Sequence, residues 1–471
     1  MKIIGREKEK AALEQYYNSS DPEFLAVYGR RRIGKTFLIR EYFNDKLDFH
    51  VTGLASGTKA DQLRIWSMAI NEAFGGDFQP ASDWLEAFSV LRNKLEKLKT
   101  KKKKVIFIDE IPWLDTKKSG FLTALEHFWN NWAAGRADIL LIVCGSATSW
   151  VTNNLLKNRG GLHNRVTRRM RLLPFTLREV EEYLQEKEID LGRYRICEAY
   201  MIFGGVPYYL SLLGKGLSLP QNVDALCFNE EGALRDEFRE LFSTLFKNST
   251  KYEKVIEALC SKTKGLTRNE IITASGLPSG GSLTKVLDEL ELCGFIRSYP
   301  NYQLDDNLCI YQLTDPFSAF HYRFIHGKRP RNPDFWTSNL NSPSLLAWKG
   351  YAFEQLCLAH TEQIELALGI SAISTEVTSW RSRQSSPGAQ VDLLIDRKDD
   401  IINLCEMKYS KSLHSISKKE EEQLRNKVAT FESETRTRKA VHLTMVTTYG
   451  VAQNSYSGIV RSEVKLDDLF A

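Results

Sequence analysis

The chain has 471 residues, 42% of them hydrophobic and 26% charged, the balance of a globular protein with room for roughly two to four domains. A net charge of +5 permits a nucleic-acid partner without requiring one, and no apolar run is long enough to argue for a membrane span. The eight cysteines include no CxxC pair and the opening MKIIGREKEK is too charged for a secretory signal, so a reducing, cytoplasmic setting without structural zinc is expected.

The first strong element is FLAVY, Phe24–Tyr28, an apolar run suited to a buried parallel strand. It runs into GRRRIGKT, Gly29–Thr36, which matches GxxxxGK[ST], and a helical pattern follows at once. A phosphate loop needs that strand–loop–helix order. Glycines let main-chain N–H groups wrap phosphate oxygens, and the helix start adds positive potential. The expected nucleotide contacts are Gly29, Arg30, Arg31, Arg32, Ile33, Gly34, Lys35, Thr36 and, opening the helix, Phe37. Lys35 would reach the β- and γ-phosphates, and Thr36 would offer its hydroxyl to Mg2+.

KTKKKK, Lys99–Lys104, reads as a basic targeting or DNA patch or as a solvated loop between helix and strand. VIFIDE, Val105–Glu110, is an apolar strand ending in two acids. Asp109 would hold Mg2+ through water, and Glu110 would polarise the attacking water. ILLIVCGSATSW, Ile139–Trp150, is a third buried strand, whose Ser146 is placed either to sense a γ-phosphate or to make a simple turn. Strands alternating with helices from residue 24 to about 150 predict an α/β fold with a parallel sheet and helices on both faces.

Together these motifs resemble the AAA+-related P-loop ATPases of a predominantly archaeal family, close to the signal-transducing STAND group. The opening IIGREKEKAALEQYY is similar to that family's adenine-side motif at Ile4, Gly5, Arg6 and Glu7, which adds Gly5 and Arg6 to the expected nucleotide contacts. LHNRVTRRMRLLPFTLREV, Leu162–Val180, is similar to its GRxxxxhxLxPFxxxE segment. The match puts Arg165 at the arginine-finger position, with Pro174, Phe175 and Glu179 following, although Asn164 stands where the family has glycine. The residues alone also allow a basic surface, since Arg159, Arg165, Arg168, Arg169 and Arg171 cluster. FGGVPYYL, Phe203–Leu210, resembles the family's GGxP element, which implies that Pro207 lies near the adenine; by itself the stretch is a helix stop. The resemblance implies ATP and Mg as cofactors, a P-loop ATPase core over 1–175 and a helical lid over 176–248. An arginine finger often acts from a neighbouring subunit, so a homo-oligomer is one expected state.

EKVIEALC, TRNEIITASGL and SLTKVLDELELCGFI predict three short helices, the second opened by a capping box of Thr267 and Glu270 and the third ended by Gly294. A two-stranded wing in IRSYPNYQLDDNLCIYQLTD completes a winged-helix segment over 249–312, followed by a linker over 313–344. The third helix sets Lys285 against Asp288, Glu289 and Glu291, a poor match to a phosphate-lined groove. A structural connector is favoured over a sequence reader.

The tail, 345–471, poses an electrostatic problem. VDLLIDRKDDIINLCEMKYS, Val391–Ser410, reads as two strands joined at RKDD, yet Asp392, Glu406 and Lys408 lie within the runs, where charge is costly unless paired. Alternation puts Glu406 and Lys408 on one face, Cys405 and Met407 on the other, and allows Asp392 to stand beside Glu406 across the hairpin. A hard divalent cation such as Mg2+ would relieve the repulsion between the carboxylates, with Lys408 orienting or deprotonating water. A surface salt bridge is the plainer alternative. D…ExK across a hairpin resembles the PD-(D/E)XK nuclease superfamily, and the ATPase family named above commonly ends in such a domain; LTDPFSAFHYRFI, Leu313–Ile325, is similar to the entry of that tail. The resemblance implies an α/β restriction-endonuclease-like domain. It adds Glu354, from WKGYAFEQLCLAHTEQIE, so that Glu354, Asp392 and Glu406 hold the metal and Lys408 assists. In SKKEEEQLRNKVATF, Lys427 could touch a phosphate, and the basic loop Arg381–Gln390 could track a nucleic-acid backbone or be a mere tip. The function expected is an ATP-hydrolysing switch joined to a Mg-dependent nuclease acting on nucleic acid, DNA foremost, in defence or mobile-element control. Its rival is a regulatory ATPase whose tail only binds DNA or protein.

Overall fold

The computed structural model describes residues 2–99, 102–146, 148–156, 164–246, 248–262, 264–299, 302, 309–327, 332–382 and 389–471. The chain forms two compact units, residues 1–173 and 174–471. Among the described residues no helix is long and apolar enough to cross a membrane.

The first unit is built on five parallel strands: β1 Glu23–Tyr28, β2 Leu47–Thr52, β3 Lys104–Asp109, β4 Ile139–Gly145 and β5 Arg168–Arg171. Their order across the sheet is β2-β3-β4-β1-β5. Successive side chains of a strand point to opposite faces, so a run that is apolar throughout needs cover on both. Phe24, Ala26, Ile106, Ile108, Leu141 and Val143 pack on one side with the helices Lys59–Phe74, Trp84–Lys97 and Phe121–Asn131. Leu25, Val27, Val105, Phe107, Leu140 and Ile142 pack on the other with Glu7–Tyr17 and Lys35–Phe43. The parallel α/β sheet expected from the alternation of elements is therefore present, and all its loops at the carboxyl ends of β1, β3 and β4 emerge on one edge.

In the second unit the helices Leu177–Glu186 and Arg193–Phe203 precede a small antiparallel sheet of β6 Leu266–Thr267, β7 Ile296–Tyr299 and β8 Ile310–Leu313, ordered β6-β8-β7. The helices Ser249–Ser261, Arg268–Ser275 and Gly281–Leu292 surround it, and the Thr267–Glu270 capping box is formed. The wing has a third strand, β6, that the pattern did not announce, because two residues are too few to carry a periodicity. Most of the turn joining β7 to β8 lies outside the described residues.

The tail begins with the helix Pro343–Ala359 and continues into a mixed sheet of β9 Thr375–Arg381, β10 Gln390–Arg397, β11 Ile401–Lys408, β12 Ala440–Thr447 and β13 Ser462–Lys465. β9, β10 and β11 are antiparallel neighbours; β11, β12 and β13 run parallel, and the helix Lys418–Thr435 makes the crossover from β11 to β12. The helices and small sheet after residue 174 and the tail share one hydrophobic core, in which Phe203, Phe242, Phe295, Phe353, Leu393, Cys405 and Met407 are all buried. Leu394, Ile402 and Leu404 turn the other way, under Leu424 and Phe431 of the crossover helix.

Candidate functional site

The phosphate loop follows directly from β1. Gly29 has φ 146° and lies so close to Leu172 that an added Cβ would stand 2.3 Å from its carbonyl oxygen, so a side chain is excluded there. Gly34, at φ 86°, caps the helix Lys35–Phe43. The ammonium of Lys35 is buried and donates to the carbonyls of Gly29 at 3.0 Å and Arg30 at 2.8 Å and to Ser146 Oγ at 3.1 Å. Thr36 Oγ1 donates to Asp109 Oδ2 at 2.8 Å, which brings the loop and the end of β3 together across the intervening β4.

Asp109 has its pKa raised, chiefly by burial, with the neighbouring charge of Glu110 adding and the Thr36 hydroxyl opposing. Glu110 sits at φ 45°, a left-handed conformation that a glutamate adopts only when its surroundings impose it. Its carboxylate accepts from the N–H of Ser146 at 3.2 Å and from the Ser146 hydroxyl at 2.5 Å. Ser146 thus joins Lys35 to Glu110. Arg6, also left-handed at φ 59°, reaches the carbonyl of Ile33 at 3.4 Å and Glu9 at 3.6 Å, so the Gly5–Arg6 turn braces the loop from behind. Ile33 is buried, Arg31 and Arg32 are half-buried and Phe37 is exposed.

In the tail, β10 and β11 pair with Leu393 opposite Cys405, the residues that follow Asp392 and precede Glu406, and β10 has a register shift against β9 between Val391 and Leu394. Gln390 Nε2 donates to Asp392 Oδ1 at 2.8 Å. Glu406 is held on both oxygens: Lys408 Nζ is 2.9 Å from Oε1 and Lys427 Nζ is 2.6 Å from Oε2. Burial pushes the Glu406 carboxyl up, but the charges of Lys427 and Lys408 outweigh it and the net shift is downward. Glu354, on the helix Pro343–Ala359, has its pKa raised to about 8 by burial and then by the charges of Asp392 and Glu406. The charges of Asp392 and Glu406 thus both act on Glu354. Two lysines offset the charge of Glu406. The donors are carboxylate oxygens, the kind Mg2+ takes. Yet among the described residues no group of three or more His, Cys, Asp or Glu side chains is spaced to hold a metal ion, so the expected Glu354–Asp392–Glu406 ligand set is not assembled here.

Residues 3–213 match the model of an ATPase domain found predominantly in Archaea. An uncharacterised protein of Methanocaldococcus jannaschii is 26% identical over 332 residues, 69% of this chain and 69% of that protein. An uncharacterised ATP-binding protein of the same organism is 37% identical over 44 residues, 9% of this chain and 75% of that protein. A solved structure, the Walker-type ATPase of Pyrococcus abyssi, has a similar fold, with a TM-score of 0.51 at 18% identity over 68% of this chain and 96% of that one.

Not every residue expected at the nucleotide of this ATPase domain is brought to the loop. Arg165 is exposed and precedes the amino end of β5, beside Thr167, whose hydroxyl bonds Glu23 at 2.7 Å at the start of β1. The phosphate loop leaves the opposite, carboxyl end of β1, so the sheet separates the two within one chain. Pro207 opens the helix Pro207–Ser211 in the second unit. The neighbouring Gly204–Gly205 pair has a local reason: a Cβ on Gly205 would stand 1.9 Å from the carbonyl oxygen of Phe175, whose N–H donates to Gly205 O at 2.6 Å. Glu179 closes a capping box with Thr176. In the lysine run, Lys103 and Lys104 are buried, Lys103 on main-chain carbonyls and Lys104 on Asp138 at 3.0 Å; they are structural and not a DNA patch. Arg159 and residues 383–388 of the basic loop lie outside the described residues.

Lys427 and Gln390, read from the sequence as a possible phosphate contact and as part of a basic loop, instead bond Glu406 and Asp392, and Arg297 was not singled out at all. Lys427 shares a helix face with Leu424 and Phe431, a spacing that marks it as inward-facing. Gln390 is two residues from Asp392 and so shares its face of the strand. Arg297 of β7 donates to Gln355 at 2.6 Å, beside Glu354, a contact between segments that no local pattern signals.

Proposed function

We propose that the chain is an ATP-driven switch whose carboxy-terminal sheet cuts nucleic acid in a divalent-metal-dependent reaction. Support for the ATPase chemistry is the convergence of Lys35, Thr36, Asp109, Glu110 and Ser146 at one loop. On nucleotide binding Lys35 exchanges its two loop carbonyls for phosphate oxygens, while main-chain N–H groups of the loop carry the rest of the charge. Thr36 and Asp109 are the hard-oxygen pair suited to hold Mg2+, which when bound neutralises phosphate charge. Glu110, oriented by Ser146, receives the proton of the attacking water. Arg165 then serves the phosphate of a second copy, which makes a homo-oligomer part of the proposal. Lys35→Ala should abolish nucleotide binding, and Glu110→Gln should keep binding and stop turnover. Normal hydrolysis by both variants would overturn these roles.

The observation that carries the nuclease is the mutual charge interaction of Glu354, Asp392, Glu406 and Lys408, drawn from one helix and two strands. A helix, three antiparallel strands, a crossover helix and a parallel strand also match the order of a restriction-endonuclease-like core. In this reading Mg2+ supplies neutralisation of the carboxylates and the scissile phosphate. Lys408 stabilises negative charge growing on that phosphate, and Glu354 gives up its proton when the site is loaded. Plasmid DNA incubated with Mg2+ should be cut by the wild type and left intact by Asp392→Ala. Equal cutting by both, or by neither, would exclude the nuclease. The second reading, a tail that binds nucleic acid or protein without cleavage, is favoured by the occupation of both Glu406 oxygens by lysines.

A further inference from the structure

The turn carrying Lys264, between the helix Ser249–Ser261 and β6, touches the candidate nuclease site. The main-chain carbonyl of Lys264 accepts Nη2 of Arg381 at 3.2 Å and Nε2 of Gln390 at 3.4 Å, and Gln390 donates in turn to Asp392. Two more contacts fasten the same winged-helix segment to the site. Arg297 Nη2 binds Gln355 Oε1 at 2.6 Å beside Glu354, and the N–H of Tyr302, in the β7–β8 connection, donates to the Ser379 carbonyl of β9 at 3.0 Å. β9, β10 and the Glu354 helix are thus each tied to the winged-helix segment.

The side chain of Lys264 is exposed, and its charge acts on Glu354 across the junction. Lys408 and Lys427 are half-buried and paired with Glu406, so of these three lysines Lys264 is the exposed one. An exposed lysine beside a strongly acidic centre is a positive point for a phosphate next to the one being cut. The helix Gly281–Leu292, by contrast, exposes Lys285 together with Asp288.

We infer that the winged-helix segment is one wall of the nuclease site, and that a nucleic-acid strand runs between it and β10–β11 with a phosphate next to the one being cut held by Lys264. The inference rests on the nuclease reading and names how its substrate is held. It also assigns nucleic-acid contact to the edge of the winged-helix segment and not to its third helix.

The test uses the full chain, a fluorescein-labelled single-stranded oligodeoxynucleotide and Ca2+ in place of Mg2+, with binding followed by anisotropy over a salt series. Lys264→Glu should raise the Kd about tenfold and lower the slope of log Kd against log salt by about one, while Lys264→Arg stays near the wild type. Because the contacts of Lys264 with Arg381 and Gln390 use its main-chain oxygen, the substitutions leave them in place. Lys285→Glu should bind like the wild type. If the wild type binds and Lys264→Glu matches it, or if Lys285→Glu is the weakened variant, the wall is wrong and the nuclease reading stands. If the wild type binds no oligonucleotide at low salt, both fall together.

Discussion

Lys427 Nζ lies 2.6 Å from one oxygen of Glu406 while Lys408 Nζ lies 2.9 Å from the other. A carboxylate bracketed in this way carries its charge at neutral pH despite burial, and its charge in turn raises the pKa of Lys408 against burial. Lys427→Ala removes one side of the bracket and leaves a half-buried carboxylate with a single partner. The expected cost is roughly 1–3 kcal/mol, read as a shift of the urea midpoint, together with loss of plasmid cutting. An unchanged midpoint would mean that the pair is solvated and weak.

Ser146 links the two ends of the nucleotide site, accepting from Lys35 and donating to Glu110. Ser146→Ala frees Glu110 to rotate while Lys35 keeps its carbonyl partners. The kcat for phosphate release should fall roughly 10–100-fold, with nucleotide affinity within about threefold of the wild type. A loss confined to affinity would place Ser146 in binding alone.

Gly205 is packed on the main chain of Phe175, at a distance that leaves no room for a Cβ. Gly205→Ala forces apart the start of the helix Leu177–Glu186 and the turn before Pro207. A loss of roughly 3 kcal/mol is expected, measured by denaturant unfolding followed at the tryptophans. Gly350→Ala is a control, since Gly350 lies inside the helix Pro343–Ala359 and nothing is within 4 Å of the Cβ it would add.

Two buried histidines predict a pH dependence. His360 accepts the N–H of Leu177 on Nε2 at 3.0 Å and lies with Nδ1 2.8 Å from the carbonyl of Leu356, and burial lowers its pKa from 6.5 to about 4. His321, stacked on Phe238 at 4.6 Å, is lowered to about 4 by burial and then by the charges of His326 and Arg239. Between about pH 6.5 and 4 the unfolded chain therefore binds more protons than the folded one. Stability is full above 6.5 and declines as pH falls through that window, by up to about 1.4 kcal/mol per unit for each histidine. Urea midpoints at pH 7, 6 and 5 should show the decline, and His360→Gln should flatten it. Equal slopes in variant and wild type would assign the effect elsewhere.

The phosphate loop, the Asp109–Glu110 pair and the alternation of Glu406 and Lys408 could all be read directly from the amino acids. Each is a matter of local spacing: a glycine-rich turn between a strand and a helix, or side chains two residues apart on a strand, has its geometry set by the backbone it lies on. The antiparallel pairing of the two strands that carry Asp392 and Glu406 was also within reach, since a hairpin follows from two short runs and the turn between them. The partners of those residues were not. Ser146 reaches Lys35 across 111 positions and Arg297 reaches Gln355 across 58, and only the packing of whole elements brings such groups together. The same holds for Arg165, whose motif suggests a nucleotide contact but whose strand enters the sheet from the end away from the loop. It holds also for the charge state of the tail site. One sequence is consistent with a cation between carboxylates or with lysines and a proton, and the choice depends on which basic side chains the neighbouring helix and the winged-helix turn deliver. Local chemistry is written along the chain, whereas electrostatic balance at a site sums charges over distances that only the folded molecule sets.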